Sequence, residues 1–138
     1  MNQFRFYQPI VVRYGDLDPQ GHVNNAKYLT YLEHARIGYI QHLDLWDGKS
    51  FQDVGVILAD VQVSFKKPIL WQQQIQVGVR VIRLGNKSFD FDYVIEDSLS
   101  KSLHATGKTV QVAFDYHKSE TISIPDNWRK TISAFEGL

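Results

Sequence analysis

The sequence predicts an α+β domain in which a five-stranded antiparallel sheet curls around one long helix. A single stretch with apolar residues at helical spacing precedes four stretches in which apolar and polar residues alternate. Short, turn-rich links join the alternating stretches, and they exclude the long crossovers that parallel strands require. Because the helix is apolar on most of its sides, the sheet has to wrap around it.

The first elements along the chain are a strand, a polar junction and the helix. The strand is predicted over Arg5–Tyr14, where Pro9 indicates an edge strand or a bulge. The helix is predicted from Ala26 to about Leu43, and Gly38 inside it indicates close approach of the sheet. The apolar stripe consists of Leu29, Leu32, Ala35, Ile40 and Leu43, widened by Tyr28, Tyr31, Ile37 and Tyr39.

Four further strands, each with one buried face, are predicted after the helix. Their core-facing residues are predicted to be Val61, Val63 and Phe65; Ile75, Val77, Val79 and Val81; Phe89, Phe91, Tyr93 and Ile95; and Val110, Val112 and Phe114. The stretch Asn127–Phe135 is predicted to form a short closing helix with Asp126 or Asn127 as its cap.

The chain has the size and composition of a single globular domain that covers residues 1–138. The 15 basic and 15 acidic residues cancel, which argues against nucleic-acid and anionic-membrane partners. The absence of cysteine excludes disulfides, thiolate catalysis and Cys-based zinc sites. We expect a soluble, cytoplasmic protein, because no apolar run approaches the roughly 20 residues that span a bilayer and the N-terminus does not resemble a signal peptide.

The junction GDLDPQGHVNN, Gly15–Asn25, concentrates polar and turn-forming residues directly before the helix. Asn24 or Asn25 can cap the helix, and the bend lets Asp18 lie near its unpaired N–H groups. The stretch is either an elaborate cap or a reaction site. In a reaction site, the N–H groups would hold a substrate carbonyl oxygen while the acid attacks its carbon or activates water. His22, in the same turn, could hold a proton or a substrate.

Metal and serine-triad sites fit the sequence poorly. A calcium loop that starts at Asp16 would need a bidentate Glu at its twelfth position, where the chain has Lys27. The five histidines include no close pair with ligand spacing, and no nucleophile-elbow signature is present. We therefore expect neither a metal nor a separate cofactor.

Three segments resemble one enzyme family and occur in the expected order. They are RYGDLDPQGHVNNAKYLTYLEHAR, VSFKKPI and RLGNKSFDFDYVI, and the D-x-D-x-x-G-H-V-N-N-x-x-Y block is the most specific part. The chain is similar to hotdog-fold acyl-CoA thioesterases of the 4-hydroxybenzoyl-CoA thioesterase type. The resemblance implies a five-stranded sheet around one helix, and two protomers that pair into a ten-stranded sheet. It also implies active sites between protomers and, in some members, assembly to a homotetramer.

The resemblance also implies roles for individual residues. Asp18 matches the catalytic carboxylate, and His22 and Asn25 complete the catalytic set. Asn24 and Ala26 contribute the backbone that, with Asn25, polarises the thioester oxygen. Coenzyme A, as part of the substrate, would be bound through its phosphates by a basic group. That group consists of Arg83, Lys87 and either Lys66 or Lys67.

The acyl pocket and the dimer seam are predicted from apolar segments. The pocket could be lined by Tyr28, Tyr31, Phe51, Val56, Ile57 and Leu58, which suit aliphatic and aryl groups alike. Glu33 and Arg36 are spaced to form an ion pair, which we expect at the dimer seam. In a different hotdog branch the catalytic acid is a glutamate on this helix, so the resemblance makes Glu33 the runner-up base. The apolar strand GVILADVQVSF, Gly55–Phe65, has little charge to guard its edge, so we expect it to pair with a second copy.

The favoured function is hydrolysis of acyl-CoA thioesters. Two alternatives from other classes remain open: a hotdog dehydratase or hydratase, and a non-catalytic acyl-CoA-binding module on the same fold. The intact Asp18 disfavours the binding module. The acid and histidine blocks typical of the dehydratases are not found in the sequence.

Overall fold

The structure, a computed structural model, describes residues 4–53 and 55–138. Within them the chain forms one six-stranded antiparallel sheet and two α-helices. In chain order these are β1 (Tyr7–Ile10), α1 (Asn25–His42), β2 (Val56–Phe65), β3 (Ile75–Leu84), β4 (Ser88–Asp97), β5 (Leu103–Asp115), β6 (Glu120–Thr121) and α2 (Asp126–Glu136). The strand order is β1-β3-β4-β5-β2, with β6 beside β5.

The antiparallel sheet with a packed helix is confirmed, but the strand count and the first strand differ from the prediction. The sixth strand, β6, pairs with the end of β5. It has only two residues and is therefore too short to show an alternating pattern in the sequence. β1 covers Tyr7–Ile10 instead of Arg5–Tyr14 and lies at an edge of the sheet. It pairs only with the first residues of β3.

Where the pairing of β3 with β1 stops, the buried carboxylate of Glu136 accepts a hydrogen bond from the edge of β3. The N–H of Val79 donates to the carbonyl oxygen of Phe6 at 3.1 Å. The N–H of Val81 donates to Oε2 of Glu136 at 3.0 Å, and the hydroxyl of Tyr39 donates to the same oxygen at 2.6 Å. The end of α2 therefore closes an edge that a longer β1 would otherwise have to cover.

The predicted core faces of β3 and β4 are confirmed, whereas the prediction for β5 is wrong. The buried residues of β5 are His104, Ala105, Gly107, Thr109, Gln111 and Ala113, and the predicted Val110, Val112 and Phe114 are half-buried. The reason is the size of the neighbours on β4. Gly107 lies opposite Tyr93 and Thr109 opposite Phe91, so the aromatic rings of β4 fill the space that large β5 side chains would need.

The helix α1 is buried along one side and exposed along the other. Tyr28, Tyr31, Leu32, Ala35, Tyr39 and Ile40 face the sheet. Leu29 is 45% exposed, so the helix is less completely buried in one protomer than its composition predicts. A Cβ at Gly38 would collide with the side chain of Gln8 in β1, which confirms close approach of the sheet.

The strand β2 forms the second edge of the sheet and pairs only with β5. Its predicted core residues are not fully buried in the protomer, because α1 covers this part of the inner face only in part. Val61 is 37% exposed and Phe65 49% exposed. No helix in the described part of the chain is both long enough and apolar enough to cross a membrane.

Candidate active site

The polar junction folds into a small hairpin that leads directly into α1. At its base, the N–H of Asn24 donates to the carbonyl oxygen of Asp16 at 2.8 Å. At its tip, the N–H of Asp18 donates to the carbonyl oxygen of His22 at 2.7 Å, and one antiparallel bridge lies between these two bonds. The hairpin therefore returns the chain from Asp18 to the start of the helix within a few residues.

The tip of the hairpin holds the carboxylate of Asp18 by one oxygen. Oδ1 accepts from the N–H of Gln20 at 2.9 Å and from the N–H of His22 at 3.1 Å. The turn closes through Gly21, whose φ of 80° lies in the left-handed region that glycine adopts without strain. Oδ2 of Asp18 accepts no hydrogen bond from the described residues, and the side chain is only half-buried. One carboxylate oxygen is thus fixed while the other is open to a substrate or a water.

The start of α1 presents one backbone donor that its cap does not use. Asn24 is the cap, as one of the two predicted candidates, and its Oδ1 accepts from the N–H of Ala26 at 2.9 Å. The N–H of Lys27 donates to the carbonyl oxygen of Asn24 at 2.8 Å. The N–H of Asn24 is itself used at the base of the hairpin. Of the three predicted backbone donors, the N–H of Asn25 is the one that these bonds leave for a ligand.

The hairpin packs against the link between β2 and β3. The N–H of Val23 donates to the carbonyl oxygen of Ile69 at 2.8 Å, and His22 forms an isolated bridge with Leu70. The imidazole of His22 is half-buried and makes no hydrogen bond with the described residues. Lys67 belongs to the same link, and its Nζ lies 3.3 Å from Oγ of Ser102.

Arg83 and Lys87 lie at the opposite end of the sheet from this link. β3 has 10 residues, and at about 3.3 Å per residue its two ends are about 30 Å apart. Arg83 lies near the far end of β3, and Lys87 follows in the turn to β4. One protomer therefore does not bring this pair together with Asp18, whereas it places Lys66 and Lys67 at the same end as the hairpin.

Arg83 is also engaged by its own sheet. Its Nη2 lies 2.8 Å from Oδ1 of the buried Asp90 and 2.9 Å from Oγ of Ser88. The hydrogen bond to Asp90 raises the pKa of Arg83 above its ordinary value. Lys87 makes a weaker contact, with its Nζ 3.5 Å from Oγ1 of Thr121. Lys87 is therefore the freer of the two cations.

Tyr28, predicted to contact the substrate, lies in the core. It is 2% exposed, and its ring packs edge-on against Phe65 with the centroids 4.9 Å apart. Burial raises its pKa. Of the other residues predicted for the acyl pocket, Phe51 is 76% exposed and Leu58 48% exposed. The predicted lining is therefore spread between the core and the open surface of the protomer.

A groove of about 140 Å³ lies between α1 and β2, lined in part by Leu29, Leu58 and Val61. Glu33 and Arg36 also line this groove, but they form no ion pair with each other among the described residues. Nη1 of Arg36 instead lies 3.4 Å from the hydroxyl of Tyr93. The predicted pair within one chain is therefore not made.

Asp16, which the sequence did not predict as part of the site, and Tyr31, which was predicted only as a lining residue of the acyl pocket, hold the base of the hairpin. Asp16 is 8% exposed, and its Oδ2 accepts from the hydroxyl of Tyr31 at 2.7 Å. The same oxygen accepts from the N–H of Arg13 at 3.0 Å. The sequence feature that could have identified Asp16 is its place as the first acid of GDLD, two residues before Asp18. If such a carboxylate is buried, it needs hydrogen-bond donors from neighbouring residues.

Comparison with known proteins gives a consistent result. The family model described as the thioesterase-like superfamily matches residues 12–132. A Thermus thermophilus thioesterase, solved with coenzyme A and Zn, is 33% identical with a TM-score of 0.86; the match covers 100% of this chain and 99% of that one. A Pseudomonas aeruginosa protein of known structure is 28% identical over 96% of this chain and 92% of its own, with a TM-score of 0.84. The long-chain acyl-CoA thioesterase FadM of Escherichia coli is 22% identical, covering 89% of this chain and 93% of that protein.

Proposed function

As a member of the thioesterase-like superfamily the chain is a thioester hydrolase, and we propose that it hydrolyses acyl-CoA thioesters to the free acid and coenzyme A. We further propose that it is of the 4-hydroxybenzoyl-CoA thioesterase type, to which its junction block is similar. The observation that carries the proposal is the hairpin, which leads from the open oxygen of Asp18 into the start of α1 within a few residues.

The chemistry starts with polarisation of the thioester carbonyl. The N–H of Asn25 donates to the carbonyl oxygen, and the partial positive charge of the helix start stabilises the oxyanion that forms. Asp18 then acts by one of two routes. Its carboxylate attacks the carbonyl carbon, expels the thiolate and leaves an anhydride that water cleaves. Alternatively, it takes a proton from a water that attacks the same carbon.

His22 is assigned a supporting role. Its ring is half-buried in the turn that carries Asp18 and has no hydrogen-bond partner among the described residues, so both nitrogens are available to a ligand. A neutral imidazole can hold a proton for the leaving thiolate or hydrogen-bond the substrate. Either function is secondary to the carboxylate, because the thiolate is already a good leaving group.

The proposed active unit is a homodimer built through β2, with a homotetramer as a possible further assembly. β2 is an edge strand with exposed apolar side chains, and antiparallel pairing with its copy would cover them. Such pairing reverses the strand directions of the partner's sheet relative to those of the first protomer. The partner's Arg83 and Lys87 would then lie at the same end of the dimer as Asp18, where they could bind the phosphates of coenzyme A.

The acyl group is proposed to occupy the groove between α1 and β2. Leu29 and Leu58 are about half exposed there, so a hydrophobic acyl group would bury surface that one protomer leaves open. This lining suits aliphatic and aryl groups equally. A cytoplasmic location, suggested by the absence of cysteine, completes the proposal.

The test is hydrolysis of a panel of aliphatic and aryl acyl-CoA thioesters, followed by release of the free thiol. The proposal expects turnover of at least one class and loss of that turnover in Asp18→Asn. Tight binding of acyl-CoA without thiol release would indicate a binding module instead. Conversion of an enoyl or β-hydroxyacyl thioester with its thioester bond intact would indicate a hydratase or dehydratase.

A further inference from the structure

We propose that Tyr31, acting through Asp16, positions the hairpin that carries Asp18. The inference rests on the proposed function for its kinetic consequences but not for its structural ones. Tyr31 lies in the second turn of α1 and Asp16 lies at the base of the hairpin, so the pair links the helix to the loop. Neither residue touches the reacting atoms in this assignment, and both are positioning residues.

Asp16 accepts hydrogen bonds through both its side chain and its backbone carbonyl. Its side chain receives two donors on one oxygen, the hydroxyl of Tyr31 at 2.7 Å and the N–H of Arg13 at 3.0 Å. Its backbone carbonyl receives the N–H of Asn24, the cap of α1, at 2.8 Å. Asp16 is therefore connected to α1 twice, once through its side chain and once through its backbone.

The double connection of Asp16 to α1 holds the base of the hairpin. The two connections lie at the base of the hairpin, and Asp18 lies at its tip only two residues further along the chain. The backbone bond from Asn24 holds the base next to α1, and the contacts with the link between β2 and β3 hold the returning strand of the hairpin. The hydrogen bond from Tyr31 ties the strand that carries Asp18 to α1 through a side chain, so we expect it to fix the distance between the open oxygen of Asp18 and the N–H of Asn25.

The helix α1 contains a second tyrosine that is bonded to a buried carboxylate. Tyr39 also donates its hydroxyl to a buried carboxylate, that of Glu136, at 2.6 Å. Burial and the adjacent carboxylates raise the pKa of Tyr31 and of Tyr39, so both stay protonated donors at any working pH. Tyr39 lies at the other end of α1 from the hairpin. The two pairs are therefore chemically alike and differ in what they hold.

The experiment compares Tyr31→Phe with Tyr39→Phe, since each removes one hydroxyl and takes one of two donors from a buried carboxylate oxygen. Both variants should melt at lower temperature than the unmodified protein. Tyr31→Phe should lower kcat about tenfold, because a displacement well under 1 Å at a reacting group has effects of this order. Its KM and its affinity for free coenzyme A should not change. Tyr39→Phe should keep kcat within about twofold. Equal kcat in the two variants would overturn the proposal.

A readout that does not depend on activity separates this inference from the proposed function. Amide hydrogen exchange of Gln20 and His22 reports on the turn around Asp18, since both amides donate to its carboxylate. Exchange at these amides should accelerate in Tyr31→Phe and stay unchanged in Tyr39→Phe. Asp16→Asn, which keeps the shape but weakens the acceptor, should act in the same direction as Tyr31→Phe. Unaltered exchange in both Tyr31→Phe and Asp16→Asn would refute the positioning role even if the protein proved to hydrolyse no thioester.

Discussion

Oδ1 of Asp18 accepts the N–H of His22 at 3.1 Å from within its own hairpin, while Oδ2 accepts nothing from the described residues. This asymmetry makes Asp18→Asn a clean test. The amide oxygen of asparagine can keep both backbone bonds, and only the open carboxylate oxygen is replaced. We expect kcat to fall by at least about a hundredfold, the lower end of what a positioned acid–base group supplies.

The matched control for Asp18→Asn is Asp47→Asn. Asp47 also accepts the N–H of the residue two positions later, that of Lys49, at 2.9 Å. It lies in the loop after α1, far along the chain from the hairpin. Thiol release and thermal melting should show two folded variants of which only Asp18→Asn has lost turnover. Near-normal turnover in Asp18→Asn would show that Asp18 is not the catalytic carboxylate.

His22→Ala should reduce kcat less than Asp18→Asn does. The imidazole has no partner among the described residues, so its removal breaks no contact that holds the turn, whereas the backbone N–H of His22 is retained. The measurement is kcat for both variants on the same acyl-CoA, with circular dichroism to verify folding. A larger loss in His22→Ala would exchange the roles of the two residues.

The protein should be at least a dimer in solution, and Val61→Lys should separate it. Val61 faces inward from β2 and is 37% exposed, and an inward-pointing charge on an edge strand opposes pairing. Light scattering should report a dimer or a larger assembly for the unmodified protein and a monomer for the variant, with activity lost together with assembly. Leu99→Lys, in a turn and at a residue 78% exposed, is the control that should leave both unchanged. A stable, active monomer of the unmodified protein at micromolar concentration contradicts the shared site.

Lys87→Ala should raise KM for acyl-CoA without changing kcat, the result expected when uniform binding is lost. A short thioester of N-acetylcysteamine lacks the nucleotide and should be unaffected. Arg83→Ala should raise KM as well, but it also removes the arginine paired with the buried Asp90 and should lower the melting temperature. If Lys87→Ala raises KM equally for acyl-CoA and for the N-acetylcysteamine thioester, the nucleotide does not bind at Lys87.

Glu136→Ala should destabilise the fold. The change leaves two donors without their acceptor, the hydroxyl of the fully buried Tyr39 and the N–H of Val81. Each unsatisfied buried group costs about 1–3 kcal/mol, so for two groups we expect the free energy of unfolding to fall by roughly 2–6 kcal/mol. Urea denaturation measures it. A loss below about 1 kcal/mol would show that water or another group replaces the carboxylate.

The alternation of apolar residues predicted β3 and β4 correctly but failed on β5 for a physical reason. Period-two patterns identify an apolar face, and on β5 the inner face carries Gly107, Thr109 and Gln111 because β4 opposes them with aromatic rings. The size of the side chains on β4 therefore determines which side chains of β5 fit on the buried face. A pattern read along one strand contains no information about the neighbouring strand.

Only those features of the candidate site that are encoded by residues close together in the sequence were predicted. The cap by Asn24 and the bend that brings Asp18 back toward the helix are encoded within a few residues, and the structure contains both. The bond between Asp16 and Tyr31 spans 15 positions and depends on how the helix packs. The separation of Arg83 from Asp18 within one protomer depends on strand direction, which the order of segments does not measure.

The two edges of the sheet are unequal, and this limits how far the chain can polymerise. On the β1 side, Pro9 lacks an N–H to donate and the carboxylate of Glu136 already occupies the N–H of Val81. On the β2 side a ten-residue strand is open. A protein with one receptive edge can join a single neighbour through that edge, after which no strand remains to recruit a third. If β2 pairs with its copy, we therefore expect sheet extension to end at that dimer and not to continue into fibres.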